Sequence, residues 1–124
     1  MRFNKRQMAA LINVARAMIN ADGRIDDNEN VVMALELFSF GVPKEDLQGL
    51  YAASDILEPS DAVAIISQFD LEQKTYVASF LGALMAADGN IDDREMVLWR
   101  IISDVCGLPR MTISEAISYI HGSK

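Results

Sequence analysis

Apolar residues recur along the chain with the spacing of an α-helix rather than the alternation of a β-strand. The first clear stripe has the spacing i, i+3, i+4 and i+7 and consists of Met8, Leu11, Ile12, Ala15 and Met18. Similar stripes predict seven helices over about 5–20, 27–40, 44–54, 60–69, 71–87, 93–106 and 112–121. The predicted fold class is therefore all-α, a compact bundle of about seven helices.

Capping residues and apolar faces refine these helices. Three pairs have the spacing of an N-cap and its N3 partner: Asn4 with Gln7, Asp70 with Gln73, and Thr112 with Glu115. Pro59 suits the first turn of the helix over 60–69. The helix over 71–87 is apolar nearly all round, so we expect it to be the most buried. The residues expected to face inward from the helices over 27–40 and 93–106 are Val31, Leu35, Phe38, Val97, Leu98, Ile101, Ile102 and Val105.

The chain repeats itself at an offset of 66 positions. Residues 21–43 align with 87–109 without a gap, and ten of these 23 positions are identical. Most identities fall in the motif Ala-Asp-Gly-x-Ile-Asp-Asp-x-Glu, found at 21–29 and 87–95. Such periodicity indicates a duplicated unit. We predict one domain over 1–124, in which a three-helix unit over about 5–54 recurs over about 71–121 with pseudo-twofold symmetry, and a connecting helix lies within about 55–70.

The charge balance narrows the classes of partner. Eighteen acidic and 11 basic residues give a formal net charge of -7. An acidic chain repels phosphate backbones and anionic lipid surfaces, which disfavours binding to nucleic acid and to membranes. Cations and basic partners are favoured for the same reason.

The cysteine content and the length of the apolar segments indicate the cellular compartment and whether the chain crosses a membrane. The single cysteine, Cys106, forms no internal disulfide, which suits a reducing compartment. The first residues lack the apolar segment of a signal peptide. The longest apolar stretch is roughly a dozen residues, whereas a membrane span needs about 20. We therefore expect a cytoplasmic protein without direct membrane insertion.

The two copies of the repeated motif concentrate negative charge. They hold eight of the 18 acidic residues, namely Asp22, Asp26, Asp27, Glu29, Asp88, Asp92, Asp93 and Glu95. The pattern Asp-Gly-x-Ile-x-x-x-Glu is similar to the second half of an EF-hand loop. In that register, however, the essential first Asp is replaced by Met18 in one copy and Leu84 in the other. We therefore exclude an EF-hand.

Half of a ligand set nevertheless remains in each turn, because calcium binds six to eight oxygens that include carbonyls and waters. Convergence of the two turns would place four carboxylates around one ion or two neighbouring ions: Asp22, Glu29, Asp88 and Glu95. Asp26 and Asp92 are weaker candidates. This oxygen-only set suits calcium or magnesium and is poor for zinc or copper, since no Cys or His lies nearby.

A purely structural interpretation competes with the metal site. Asp26 and Asp92 stand where N-caps belong, and Glu29 and Glu95 are then N3 residues of a capping box. The Asp-Gly pairs are ordinary turn sequences. The repetition of the full motif favours the metal site slightly, because caps alone would tolerate Ser, Thr or Asn in either copy.

The doubled motif Ala-Asp-Gly-x-Ile-x-x-x-Glu, each copy following an apolar helix, resembles the tellurite-resistance TerB-like family. Related domains occur on the N-terminal side of some membrane-anchored J-domain co-chaperones. The resemblance covers about 5–121 and implies a seven-helix duplicated fold with a metal-binding acidic patch. The residues that it carries over are Asp22, Glu29, Asp88 and Glu95. It also implies a role in metal, oxyanion or phage stress responses, often through partner proteins.

The remaining chemically distinctive residues have structural interpretations. We expect Cys106 and three methionines, Met8, Met18 and Met85, to lie in the core. Trp99 is expected at the rim of the core or as an anchor for a partner. No nucleophile elbow or glycine-rich phosphate loop is found, so we expect no enzyme activity.

Two functions follow from these features. The first is a non-catalytic domain that binds a divalent cation, calcium or magnesium, through the duplicated acidic turns. The alternative is an adaptor that binds a basic or helical protein partner through its acidic face, with the repeated carboxylates acting only as helix caps.

Overall fold

The computed structural model describes residues 3–19, 34–35, 37, 42–86 and 93–122. Six helices are delimited in these residues: α1 (Lys5–Ile19), α2 (Lys44–Ile56), α3 (Pro59–Ser67), α4 (Leu71–Met85), α5 (Asp93–Cys106) and α6 (Ile113–Gly122). Ala34, Leu35 and Leu37 are also helical, whereas most of the helix predicted over 27–40 lies outside the described residues. No strand occurs in the described part, which confirms the all-α class there. None of its helices is long and apolar enough to cross a membrane.

Reciprocal side-chain caps start three of these helices where the sequence predicts them. Before α1, the backbone N–H of Gln7 donates to Asn4 Oδ1 at 2.8 Å, and the Asn4 N–H donates to Gln7 Oε1 at 2.9 Å. Asp70 and Gln73 make the same two bonds at the start of α4, and Thr112 and Glu115 make them before α6. Each pair satisfies backbone donors that have no partner inside the helix.

Several local features recur 66 positions apart. Helices α1 and α4 both contain 15 residues and begin at positions 5 and 71. The Val42 N–H donates to the Leu37 carbonyl at 3.2 Å, and the Leu108 N–H donates to the Ser103 carbonyl at 2.8 Å. This second bond closes the end of α5 around Gly107, whose positive φ of 71° suits glycine at a helix C-terminus.

Helix α4 lies at the centre of the core, as its apolar sequence predicts. Ten of its residues are buried: Gln73, Tyr76, Val77, Ala78, Ser79, Phe80, Leu81, Gly82, Leu84 and Met85. It packs most extensively against α6 and also against α1 and α5. Helix α1 buries its whole predicted stripe and packs against α2 and α3. Helix α2 therefore packs on α1, whereas α6 packs on α4.

Helix α4 approaches its neighbours closely at Gly82. A Cβ built on Gly82 would lie 2.7 Å from the Ala116 Cβ and 3.0 Å from Trp99 Cζ2. These distances are below ordinary van der Waals contact, so only a residue without a side chain fits. The Trp99 Nε1–H also donates to the Ala78 carbonyl at 3.1 Å. Gly82 therefore sets the spacing of α4 from α5 and α6.

Polar groups join α1 to the end of α2. The Asn13 Nδ2 group donates to the carbonyls of Ser54 and Leu57, both at 2.9 Å. These carbonyls lie at the C-terminal end of α2, where intrahelical donors run out. One turn further along α1, Arg16 forms an ion pair with Asp55 at 2.7 Å. Its guanidinium also lies 5.6 Å from the Tyr51 ring centre, within the range of a cation–π contact.

One part of the predicted core is wrong. Leu35, Val97, Ile101 and Val105 were expected to face inward but are 52 to 58% exposed. Helix α5 instead buries the face that carries Glu95, Trp99, Ile102, Ser103 and Cys106. The aliphatic row Val97, Ile101 and Val105 misleads because the face that packs against the core is the one that carries the large Trp99 ring, although that face also includes Glu95 and Ser103.

Gly82→Ala tests the close packing of α4. Alanine is ordinarily the better helix former by about 1 kcal/mol, but overpacking a well-filled core costs about 1–3 kcal/mol. We expect Gly82→Ala to lower the free energy of unfolding, measured by chemical denaturation. The matched control is Gly49→Ala in α2, where an added Cβ meets nothing within 4 Å. The control should stabilise the protein by about 0.4–1 kcal/mol. Equal effects from the two variants would contradict this description of the core.

Candidate functional site

The predicted metal-binding residues fall mostly outside the described part of the chain. Five of the six predicted ligands lie outside the described residues, so their convergence stays a prediction: Asp22, Asp26, Glu29, Asp88 and Asp92. Glu95 alone among the predicted ligands is described. Within the described residues, no group of three or more His, Cys, Asp or Glu side chains is arranged to hold a metal ion.

Glu95 is buried at the start of α5. It is the third residue of that helix, and only 4% of it is exposed. Glu115, the third residue of α6, is exposed although it caps its own helix. Burying a carboxylate away from water is costly unless hydrogen bonds or a positive charge compensate it. Glu95 takes part in at least one polar interaction, and its burial distinguishes it from an ordinary surface cap.

The buried face of α5 continues from Glu95 to Trp99 and Cys106. Trp99 lies one helical turn after Glu95 and is 5% exposed, so it belongs to the core rather than to a partner-binding surface. Its indole N–H is already occupied by the Ala78 carbonyl. The indole of Trp99 therefore lies inside the core on the same face as the buried carboxylate.

Cys106 is a buried thiol, as predicted, with 1% of the residue exposed. Burial raises the pKa of this thiol, and the nearby Lys74 ammonium opposes that change with a smaller effect. A raised pKa leaves little thiolate at neutral pH, and the thiolate is the reactive form. The position therefore lacks the electrostatics of a catalytic nucleophile.

A groove runs between α5 and the turn that leads into α6, and we call it the α5–α6 groove. Its volume is about 740 Å³. Met96, Met111 and Ile113 contribute apolar surface beside the almost fully buried Trp99. The charged residues of the groove are Arg100, Asp104, Arg110 and Glu115. Arg110 and Asp104 form an exposed ion pair at 3.3 Å. The balanced charges give this groove no clear preference for a cation or an anion.

A second groove lies between the start of α1 and the start of α2, and we call it the α1–α2 groove. Its volume is about 430 Å³. Phe3, Met8, Val42 and Leu50 form apolar walls. Glu45 and Asp46 add two acidic residues from the first turn of α2, and Lys5 adds one basic residue, so the lining is acidic by one charge. Apolar walls beside carboxylates suit an apolar side chain next to a basic one.

Sequence reasoning identified neither groove. Each combines residues from separate helices, so periodicity within one helix carries no signal for it. Met96, for example, is half-buried on the wall of the α5–α6 groove, a position that its spacing along the helix does not indicate.

A solved structure closely resembles this chain. It is the crystal structure of the protein of unknown function PG1108 from Porphyromonas gingivalis W83, which is 46% identical to the chain. The match covers 98% of this chain and 92% of the PG1108 chain, with a TM-score of 0.89. The chain belongs to the same family as PG1108. No family model matches it, and no curated protein does.

Membership of the PG1108 family accounts for the fold but assigns no chemistry. One fold supports many unrelated functions, so function has to be argued from particular residues. For this member of the PG1108 family, the informative residues are the buried Glu95, the two grooves and the exposed face of α5.

The state of Cys106 leads to a direct prediction. In the native protein at about pH 7.5 we expect little reaction with a thiol reagent over a time in which the denatured protein reacts fully. Ser118→Cys, which places a thiol at an exposed position of α6, is the control and should react rapidly. Rapid labelling of native Cys106 would contradict the buried assignment.

The raised pKa of Cys106 also fixes the sign of a pH effect. Its contribution to stability is complete below the ordinary thiol pKa of about 8.5 and is lost as pH rises through the folded-state pKa. The loss of unfolding free energy between about pH 8 and pH 10 should therefore be smaller in Cys106→Ala than in the wild type.

Proposed function

We propose that the chain is a non-catalytic, TerB-like domain that binds a divalent cation, calcium or magnesium, at its duplicated acidic turns. The proposed architecture is a seven-helix bundle in which a three-helix unit occurs twice about a pseudo-twofold axis. The recurrence of helix starts, caps and helix-end hydrogen bonds at an offset of 66 positions supports this duplication.

The burial of Glu95 carries the metal proposal. The Glu115 carboxylate at the third position of α6 reaches the surface, whereas the Glu95 carboxylate at the third position of α5 is enclosed. Glu95 already takes part in at least one polar interaction, and a bound cation would add to the compensation of its enclosed carboxylate. The residues proposed to hold the ion are Asp22, Glu29, Asp88 and Glu95, with Asp26 and Asp92 as weaker candidates. Their oxygen chemistry fits a hard cation, which would order the two turns by binding across them.

The cellular setting belongs to the same proposal. A single buried cysteine and the TerB-like resemblance support a cytoplasmic role in the response to tellurite or metal stress. In such a role the ion acts structurally, and the acidic surface contacts a protein partner.

Titration of chelator-treated protein with calcium and with magnesium tests the metal site. We expect saturable binding with a dissociation constant below about 1 mM, the weak end of protein calcium sites. Binding should also raise the midpoint of thermal unfolding, since at 100 times the dissociation constant an ion adds about 2.7 kcal/mol of stability. Trp99 is the single tryptophan, so its fluorescence offers an independent readout one turn from Glu95.

Two variants should abolish the heat of binding and the ion-dependent stabilisation. One is the double variant Asp22→Asn with Asp88→Asn, and the other is the single variant Glu95→Gln. Asp61→Asn, an exposed carboxylate in the first turn of α3, is the matched control and should bind as the wild type does. Absence of saturable binding, or equal binding by all variants, would refute the metal site.

The α1–α2 groove favours a second candidate function, an adaptor for a basic or helical protein partner. In that case the repeated carboxylates serve only as helix caps. The supporting observation is the combination of apolar walls with Glu45 and Asp46, which outweigh the single Lys5 of the lining, in a chain of net charge -7. An amphipathic helix that carries Lys or Arg beside its apolar face would match both features.

Charge reversal tests the adaptor function. A synthetic basic amphipathic helix is titrated into labelled protein, and NMR shifts are followed at Val42, Gly49 and Leu50. We expect Glu45→Lys with Asp46→Lys to weaken binding at least tenfold, with a strong dependence on salt. The control Glu58→Lys with Asp61→Lys makes the same charge change at the start of α3 and should reduce affinity much less. Equal losses would indicate non-specific attraction rather than a site.

A further inference from the structure

Helix α5 carries an exposed aliphatic face opposite its buried one. Val97, Ile101 and Val105 are 57, 52 and 58% exposed. They stand at i, i+4 and i+8, so they form a continuous row along the helix. We call this row the α5 outer face.

The row is unusual for a surface that faces only water. Single exposed apolar residues are common, whereas a contiguous apolar row marks an interaction surface. All three side chains are β-branched, so few rotamers are lost when a partner covers them. The remaining large exposed hydrophobic residues, Leu35, Ile56 and Leu71, come from three other segments of the described chain.

The charges beside the row determine which partner fits. Arg100 and Asp104 are exposed, one turn apart, on the same side of Val97 and Ile101, and the exposed Asp93 lies on that side two turns before Arg100. In the described structure, no hydrogen bond or ion pair engages the Arg100 side chain, and Asp104 makes only its exposed contact with Arg110. A uniformly basic helix would be repelled by Arg100, and a uniformly acidic one by Asp104. A fitting partner presents the two charges in the opposite order.

We propose that the α5 outer face binds the same face of a second copy of this chain, with the two helices antiparallel about a twofold axis near Ile101. In an antiparallel pair of α5 helices, the second copy presents Asp104 and Arg100 in the opposite order along the interface, as required. A twofold axis between the helices keeps Arg100 and Asp104 on the same side in both copies, so Arg100 faces the partner's Asp104 and the reverse.

The spacing of the helix supports this register. With Ile101 against itself, Val97 of one copy lies level with the partner's Val105. At a rise of 1.5 Å per residue, Arg100 and the partner's Asp104 are offset by about 3 Å along the axis. The long Arg side chain spans such an offset. The arrangement is isologous, the commonest form of protein dimer.

The interface is small, so we expect the affinity of the dimer to be low. Three aliphatic residues from each copy and two exposed ion pairs place it among weak, reversible interfaces. We expect a dimer with a dissociation constant in the micromolar range that weakens as salt rises. The metal and adaptor functions do not depend on it, because it uses neither the acidic turns nor the α1–α2 groove.

Sedimentation velocity of the full chain, from about 5 µM to about 500 µM, tests the dimer. We expect a reversible monomer–dimer equilibrium for the wild type. Ile101→Glu places two carboxylates against each other at the twofold axis and should raise the dissociation constant at least tenfold. Ile56→Glu is the matched control, because Ile56 is 83% exposed at the end of α2, which packs against α1. Circular dichroism confirms that each variant is folded.

A charge exchange then tests the register. Arg100→Asp and Asp104→Arg should each weaken the dimer several-fold, and the double variant should recover most of the loss, since it restores both pairs in a twofold arrangement. A wild type that stays monomeric at every concentration overturns the proposal. So does a dimer that survives Ile101→Glu, one lost in Ile56→Glu, or a double variant no better than the single ones. If a helix of a different protein binds this face while the wild type stays monomeric, the second copy is likewise excluded.

Discussion

The close approach of α4 to its neighbours at Gly82 is the constraint on which the arrangement of the second half of the chain depends. Ala116 and the Trp99 ring occupy the space that a side chain at position 82 would fill. Helices α5 and α6 therefore pack directly on α4, which is buried nearly all round. The hydrogen bond from Trp99 to Ala78 then fixes the rotation of α5 about its own axis. That rotation turns Glu95 inward and leaves Val97 and Ile101 outside, so one packing contact positions both the buried carboxylate and the exposed row.

At the position that corresponds to Gly82, α1 contacts α2 through polar groups rather than through a close steric fit. Arg16 lies 66 residues before Gly82, and it reaches Asp55 and the Tyr51 ring at the edge of the contact with α2. Asn13 adds hydrogen bonds to the last carbonyls of α2. One pair of helices is thus held by steric fit and the other by polar contacts near its rim.

Local chemistry explains which parts of the fold were predictable. Caps such as Asn4, Asp70 and Thr112 act within three residues of themselves, so the starts of α1, α4 and α6 agree with the sequence to within one residue. The orientation of α5 was not predictable, because Val97 and Ile101 are as apolar as the residues that are buried, and only the partner surface of α4 distinguishes the two faces. For the candidate site, the sequence indicated Glu95 through its repeated motif, yet its burial follows from tertiary packing. The grooves need the positions of two helices at once, which a one-dimensional pattern does not contain.

Around the turn between α5 and α6, the residues that fix the backbone differ from three charged residues that line the α5–α6 groove. Gly107 closes one helix, and Thr112 with Glu115 opens the next, so the backbone is fixed from both ends. The charged side chains on the rim of the adjoining groove, Arg100, Asp104 and Arg110, take no part in that closure. Natural variation at these three positions can therefore alter what the groove recognises at little cost to folding. Substitutions of Gly107, Thr112 or Glu115, in contrast, act on the closure of the backbone itself.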